Sequence, residues 1–369
     1  MKRFIYVVLV TVALALSNTS AGAQTYTVTD LGTLSGDTTA YAINASGQVA
    51  GYSIAPSGAP HAFIWTPTAP NGTIGAIRDL GLPSGDTRAV AFSINDKGQA
   101  AGWAGNSTVY VHAALFSGGA AFGLGTIKGS GQSQAYGINA SGEITGSSVI
   151  KTGGSANTFL WKPNAPNGTS GTMVDLKVPG GFISAIASGI NTYGQIAQSN
   201  LRFIWTPSTA NATIGTSISA PWQPNAINDA GQTTGGAAYT WMGSDGVARS
   251  SSQAAWWGPT FGLQTLGFPV DTALPPGSGW YQGGSTWISN AGNLVGYAQA
   301  RDLTAYPFPG TVNTVWMWSA ATGMHDLNAN PSIKSSGWLL TQVNGVNDLG
   351  QITGVGTYGG TQRAFLLTP

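Results

Sequence analysis

The apolar residues of this chain fall in short runs separated by Gly, Asn, Asp, Ser and Pro, and the runs return in a fixed order. The clearest unit is Ala40-Tyr-Ala-Ile-Asn-Ala-Ser-Gly-Gln-Val-Ala-Gly51, two apolar stretches around a polar turn. Its centre, Ile-Asn-x-x-Gly-Gln, recurs with Asn44 and Gly47, Asn95 and Gly98, Asn139 and Gly142, Asn191 and Gly194, Asn228 and Gly231, and Asn347 and Gly350. A weaker copy, Ile288-Ser289-Asn290-Ala291-Gly292-Asn293, brings the number to seven. The pattern predicts a hairpin: the Asn side chain accepts from a backbone N–H two residues on, and Gly takes the positive φ that closes the turn. Asn-Asp at 95–96, 228–229 and 347–348 also occurs in calcium loops, but in a tight turn it is explained by turn chemistry alone.

Two further elements keep phase with the hairpin. An aromatic strand follows it: His61-Ala-Phe-Ile-Trp65, His112-Ala-Ala-Leu-Phe116, Thr158-Phe-Leu-Trp161, Arg202-Phe-Ile-Trp205, Ala254-Ala-Trp-Trp257, Val315-Trp-Met-Trp318 and Arg363-Ala-Phe-Leu-Leu367. Next comes a strand built on Asp-Leu-Gly, at Asp30, Asp79 and, in altered form, at Gly123, Asp175, Thr265 and Asp326, with a degenerate copy near Ile218. Hairpin plus two strands makes four strands per unit, and residues 24–369 shared among seven units give about 49 each, the size of a propeller blade. The ends of the chain are complementary. Residues 26–31 form an Asp-Leu-Gly strand with no hairpin before it, and residues 363–367 an aromatic strand with no Asp-Leu-Gly after it. The expected fold is therefore all-β: a seven-bladed β-propeller of four-stranded blades, its ring closed by the N-terminal strand completing the last blade. Closure removes the two sheet edges that an open array would expose.

Composition fits this fold. Of 369 residues, 54 are Gly and 19 Pro, which rules out long helices as the main material, while 42% apolar content fills a sizeable core. With 7% charged residues and a net charge of +1 there is no basic patch to bind nucleic acid. Residues 1–23 read as a secretory signal: Lys2 and Arg3, an apolar run from Phe4 to Leu16, then Ala21-Gly22-Ala23 before Gln24. No later run reaches membrane-spanning length, so no permanent membrane anchor is expected. The absence of Cys leaves no disulfide framework and no lipid anchor. Residues 24–369 are read as one domain, exported to the periplasm or the extracellular space.

The units resemble those of the HAF-repeat family of bacterial extracellular repeat proteins, named for His-Ala-Phe. The name motif stands in full at His61-Ala62-Phe63, with variants at His112-Ala113-Ala114 and Arg363-Ala364-Phe365, and the hairpin and Asp-Leu-Gly-x-Leu-x-Gly at Asp30–Gly36 match better. The resemblance implies export and a β-rich repeat fold. It carries no reaction, and no catalytic residue is transferred.

Candidate chemistry is sought among residues that break the repeat register. Most fall in insertions of units five and six, within 242–253, 268–284 and 297–313, on connections that leave one face of a propeller. Trp280, Tyr281, Tyr306 and Phe308 with Arg301, Asp302 and Asp271 suit a sugar, aromatic faces stacking on C–H surfaces and polar ends taking hydroxyls. The expected role is a non-catalytic scaffold that binds a glycan or another envelope ligand through these loops. The alternatives are a structural protein with an envelope-protein partner, the insertions being tolerated loops, and a glycan hydrolase using Asp271 and Asp302 as acid and base. Three scattered histidines, His61, His112 and His325, show no metal-ligand spacing, so no metal and no cofactor are expected. Gly354-x-Gly356-x-x-Gly359 lacks the helix that a dinucleotide fingerprint requires.

Overall fold

The computed structural model describes residues 24–106, 111–128, 131–149, 156–181, 187–199, 202–220, 222–242, 247–275, 278–302 and 311–369. They form seven four-stranded antiparallel sheets, each built from strands consecutive in the chain except the last. Blade one comprises Thr38–Ile43, Val49–Ile54, Pro60–Pro67 and Gly75–Asp79; blades two to six occupy 88–125, 133–181, 187–219, 223–267 and 278–326. Blade seven takes three strands, Trp338–Val346, Ile352–Tyr358 and Thr361–Thr368, from the end of the chain and its fourth, Thr27–Asp30, from the beginning. The first strand of every blade touches the first strands of both neighbours, so these strands line the axis of a closed ring. This is the seven-bladed β-propeller that the repeat phase predicts.

Closure is built in register: Thr27 lies opposite Thr368, Val28 opposite Leu367, Thr29 opposite Leu366 and Asp30 opposite Phe365. Tyr26 N donates to Ser332 Oγ at 2.8 Å, anchoring the strand to the short helix Pro331–Ser335. Leu31, 2% exposed, enters the apolar layer between blades seven and one with Phe63, Trp65, Ala364 and Leu366. Equivalent layers separate the other blades, and Trp161 and Trp205 are buried in them.

In blades two, three and five the Asp-Leu-Gly element lies within the fourth strand, whereas in blades one, six and seven that strand ends at the Asp. There the Asp accepts the N–H two residues on, from Gly32 to Asp30 and from Gly81 to Asp79, both at 2.8 Å. The Asp also receives the first polar residue of the aromatic strand: His61 Nδ1 lies 2.7 Å from Asp79 and Asn157 Nδ2 2.9 Å from Asp175. In blade two Gly replaces this Asp, and His112 turns instead to Asp86 at 3.1 Å. A Cβ at Gly123 would stand 3.2 Å from the His112 ring, so the glycine makes that turn possible.

The first strands carry a register shift, between Ala40 and Ala42 in blade one and at the equivalent place in the other six. This bulge drives an inner-strand carbonyl onto the second strand. A Cβ on Gly51 would lie 1.9 Å from Thr39 O, which is why the repeat reads Val-Ala-Gly at that point.

Candidate functional site

At one mouth of the channel the seven hairpins make a hydrogen-bonded ring. Asn95 Oδ1 accepts from Lys97 N at 3.0 Å and Gln99 N at 3.1 Å, the expected turn, and Gly98 sits at φ 71°. The same side chain also joins neighbouring blades. Its Nδ2 donates to Gln99 Oε1 and to the backbone carbonyl of Asn139 in the next blade, both at 3.1 Å. Asn44 reaches Asn95 O, Asn139 reaches Asn191 O, Asn191 reaches Asn228 O, and Asn228 reaches Ser289 O, at 3.0–3.1 Å. In blade six Ser289 replaces the Asn, and Asn293 Nδ2 bridges to Asn347 O at 3.4 Å. Asn347 closes the circuit on Asn44 O at 3.3 Å. The aspartates beside this ring are absorbed by it: Asp96, Asp229 and Asp348 each accept a backbone N–H of the preceding blade at 2.8–2.9 Å. The space they surround is about 190 Å³.

The Gln that closes the hairpin motif ties in the outer turn of the following blade. Gln99 Nε2 donates to Asn167 O at 3.0 Å and Gln351 Nε2 to Asn71 O at 3.1 Å, with Asn71 and Asn167 both at φ 60°. Glu143 stands where Gln would, and cannot donate. Lys162 makes the contact instead, 2.7 Å to Asn211 O, while lying 3.7 Å from Glu143. Burial pushes the Glu143 carboxyl above the ordinary carboxylate range, against the lowering effects of Asn139 and Lys162.

Behind the hairpins the bulged residues of blades one to three and of blades five to seven form two arcs of different kinds. In blades one to three they are aromatic, and Tyr41, Phe92 and Tyr136 contact in sequence with ring centroids 5.1 and 5.6 Å apart. Burial pushes the Tyr41 phenol up to about 12, so it stays neutral. In blades five to seven they are hydrogen-bonding: Asn225 Nδ2 to Ser285 O at 2.9 Å, Thr286 Oγ1 to Val343 O at 2.8 Å, and Asn344 Nδ2 to Ala40 O at 2.8 Å.

Two members of this polar arc, Thr286 and Asn344, line a cavity of about 630 Å³ between blades six and seven. The cavity lies at the end of the inner strands away from the Asn turns, where residues 339–344 begin blade seven. Tyr297 and Gln299 supply its blade-six wall and Gln342 and Asn344 its blade-seven wall. Alternation along the second strand of blade six, Leu294–Asp302, puts Tyr297, Gln299 and Arg301 on one face and Ala298 and Ala300 on the other, both of the latter buried.

The sequence-predicted ligand residues separate across this blade. The expected loops are largely long β-ribbons, because residues 278–284 pair with 297–302 and residues 237–242 with 248–253. Trp280 stacks on Phe268 with centroids 5.6 Å apart and planes 9° apart, part of the apolar layer between blades five and six. Tyr281 sits at a bulge, and its hydroxyl donates to Gln299 Oε1 at 2.5 Å. The Arg301 guanidinium lies 3.9 Å above the Tyr281 ring. Asp271 packs against the outer strand of blade six, accepting Asp326 N at 2.8 Å with His325 Nδ1 at 3.2 Å. It borders a different hollow, of about 450 Å³, beside Tyr26 and Met317. Of Asp302 only the backbone is described, at the end of its strand, and Tyr306 and Phe308 lie outside the described residues.

The blade-seven wall of the cavity, Leu339 to Asn344, carries no register-breaking signal and is invisible to a search for out-of-phase ionisable residues. The bulge was the available clue: at its position Tyr, Phe and Tyr give way to Asn, Thr and Asn between the two halves of the ring. Among the described residues no group of three or more His, Asp or Glu is placed to hold a metal ion, and no helix is long and apolar enough to cross a membrane. A scan against protein-family models finds no match, and neither does a search of curated proteins.

Proposed function

We propose that this chain is an exported, non-catalytic binding scaffold of the HAF-repeat type, and that it takes a carbohydrate in the cavity between blades six and seven. The observation that carries the reading is the lining itself. Gln299, Asn313, Thr341, Gln342 and Asn344 offer neutral amides and a hydroxyl, and Tyr297 adds an aromatic face. Among the described residues that line it there is no carboxylate, histidine or lysine. Such a wall satisfies hydroxyl groups without demanding a counter-charge. The sugar-binding function expected of the insertions is thereby moved inward from their tips to the base of the blade-six ribbon, with Tyr281 acting through Gln299.

A glycan array probed with residues 24–369 and with the Gln299→Ala, Gln342→Ala double variant tests this. Saturable binding that the variant loses, at unchanged thermal midpoint, supports it. Silence from the wild-type chain moves the weight to the second reading, an interaction protein of the cell envelope. That reading draws on the tip of the blade-five ribbon, where Met242 and Val247 are 67% and 52% exposed.

A further inference from the structure

We infer that the ligand of the blade-six cavity is an acidic saccharide, and that Arg301 receives its anionic group. The inference rests on the carbohydrate reading and adds the class of sugar. Tyr297, Gln299 and Arg301 occupy successive positions on one face of the same strand; Tyr297 and Gln299 line the cavity, and Arg301 is the next residue on that face, just beyond the lining. Successive same-face residues are about 7 Å apart, roughly the length of one sugar ring beyond Gln299.

Arg301 has no carboxylate partner among the described residues, whereas Lys162 lies beside Glu143 and Arg363 beside Asp30. Its Nε is buried without a hydrogen-bond partner. Its Cζ lies over the Tyr281 ring, 3.9 Å from the centroid, and the Tyr281 hydroxyl is held in turn by Gln299. A guanidinium fixed over an aromatic face keeps its outer N–H edge directed and loses little freedom when it meets a carboxylate or sulfate. A neutral sugar would leave that charge uncompensated, whereas an anionic one forms charge-assisted hydrogen bonds to it.

The experiment measures binding of residues 24–369 to three probes of equal length: a neutral galactose oligosaccharide, an oligogalacturonate and a sulfated galactose oligosaccharide. Wild type is expected to prefer the anionic probes at least tenfold, with the preference shrinking as salt rises. The two anionic probes separate carboxylate from sulfate. Arg301→Gln is expected to bring anionic and neutral affinities within about twofold of each other, and Arg301→Lys to keep part of the preference. A matched thermal midpoint for each variant assures that the fold is intact. Equal binding of neutral and anionic probes by wild type, or a preference that survives Arg301→Gln, overturns this inference alone. Failure of wild type to bind any of the three overturns the carbohydrate reading with it.

Discussion

Asn347 Nδ2 donates to the backbone carbonyl of Asn44 across 303 positions of sequence, at 3.3 Å. The contact joins the last hairpin to the first, and it is made by the same side chain that shapes its own turn. One residue type therefore sets the local hairpin and the circular order of the blades.

Replacing such an Asn is consequently more costly than losing an ordinary turn residue. Asn95→Ala removes the Oδ1 bonds to Lys97 N and Gln99 N and the Nδ2 bonds to Gln99, Asn139 and Asn167. Several of the groups left behind are buried, so a loss of about 2–3 kcal/mol is expected in urea unfolding. A midpoint within error of wild type would show that the ring is incidental.

Ring closure gives a second prediction. Deleting residues 24–32 removes four paired residues and unburies the neighbours of Tyr26 and Leu31, which are 9% and 2% exposed. Each apolar side chain accounts for about 1.5–3 kcal/mol of burial, and the vacated edge of Thr361–Thr368 is open to pairing between molecules. The truncated chain should melt several degrees lower and aggregate on heating. Equal solubility and an equal melting curve would contradict closure by this strand.

Glu143 supplies a pH-dependent case. Because burial raises its pKa in the folded protein, the folded state holds the proton more tightly than the unfolded chain does. Its contribution is present below the ordinary carboxylate pKa and is lost as pH rises through the raised value. Glu143→Gln restores the amide found at Gln99 and Gln351. It should abolish that decline and stabilise the fold at neutral pH by on the order of 1 kcal/mol. Unfolding midpoints compared from pH 4 to 8 check the sign; a variant that is less stable at neutral pH would show that the Lys162 pair outweighs the buried charge.

Trp280 and Gln299 should part company. Trp280→Ala opens the stack on Phe268 and is expected to cost about 2–3 kcal/mol of stability with little direct effect on ligand. Gln299→Ala should leave stability nearly unchanged and weaken binding. The reverse pattern, read by calorimetry and thermal unfolding, would return the site to the blade-five side of the ribbon.

The fold was legible in the sequence because a repeat writes the same constraint many times. Asn44, Gly47 and Gly51 are intelligible singly, and their recurrence through Asn347, Gly350 and Gly354 counts the blades. The partition of Trp280 and Tyr281 was not legible, because neighbours in a strand face opposite sides and a bulge at Tyr281 alters the alternation. Nor does spacing show that residues 278–284 and 297–302 are ribbon, since Gly and polar residues in a pairing strand look like loop until the partner is known. The cavity wall at 339–344 belongs to a different repeat, and only the packing of blade seven on blade six brings it against Gln299.

The most direct test of the central claim is a hydrogen-exchange footprint of residues 24–369 with and without a mixed pool of neutral and acidic oligosaccharides. Slowed exchange confined to residues 294–300 and 338–345, with the hairpins around Asn44 and Asn95 unchanged, is the predicted result. Protection absent from both segments, or gathered on the Asn-turn face, would contradict the placement of the site between blades six and seven.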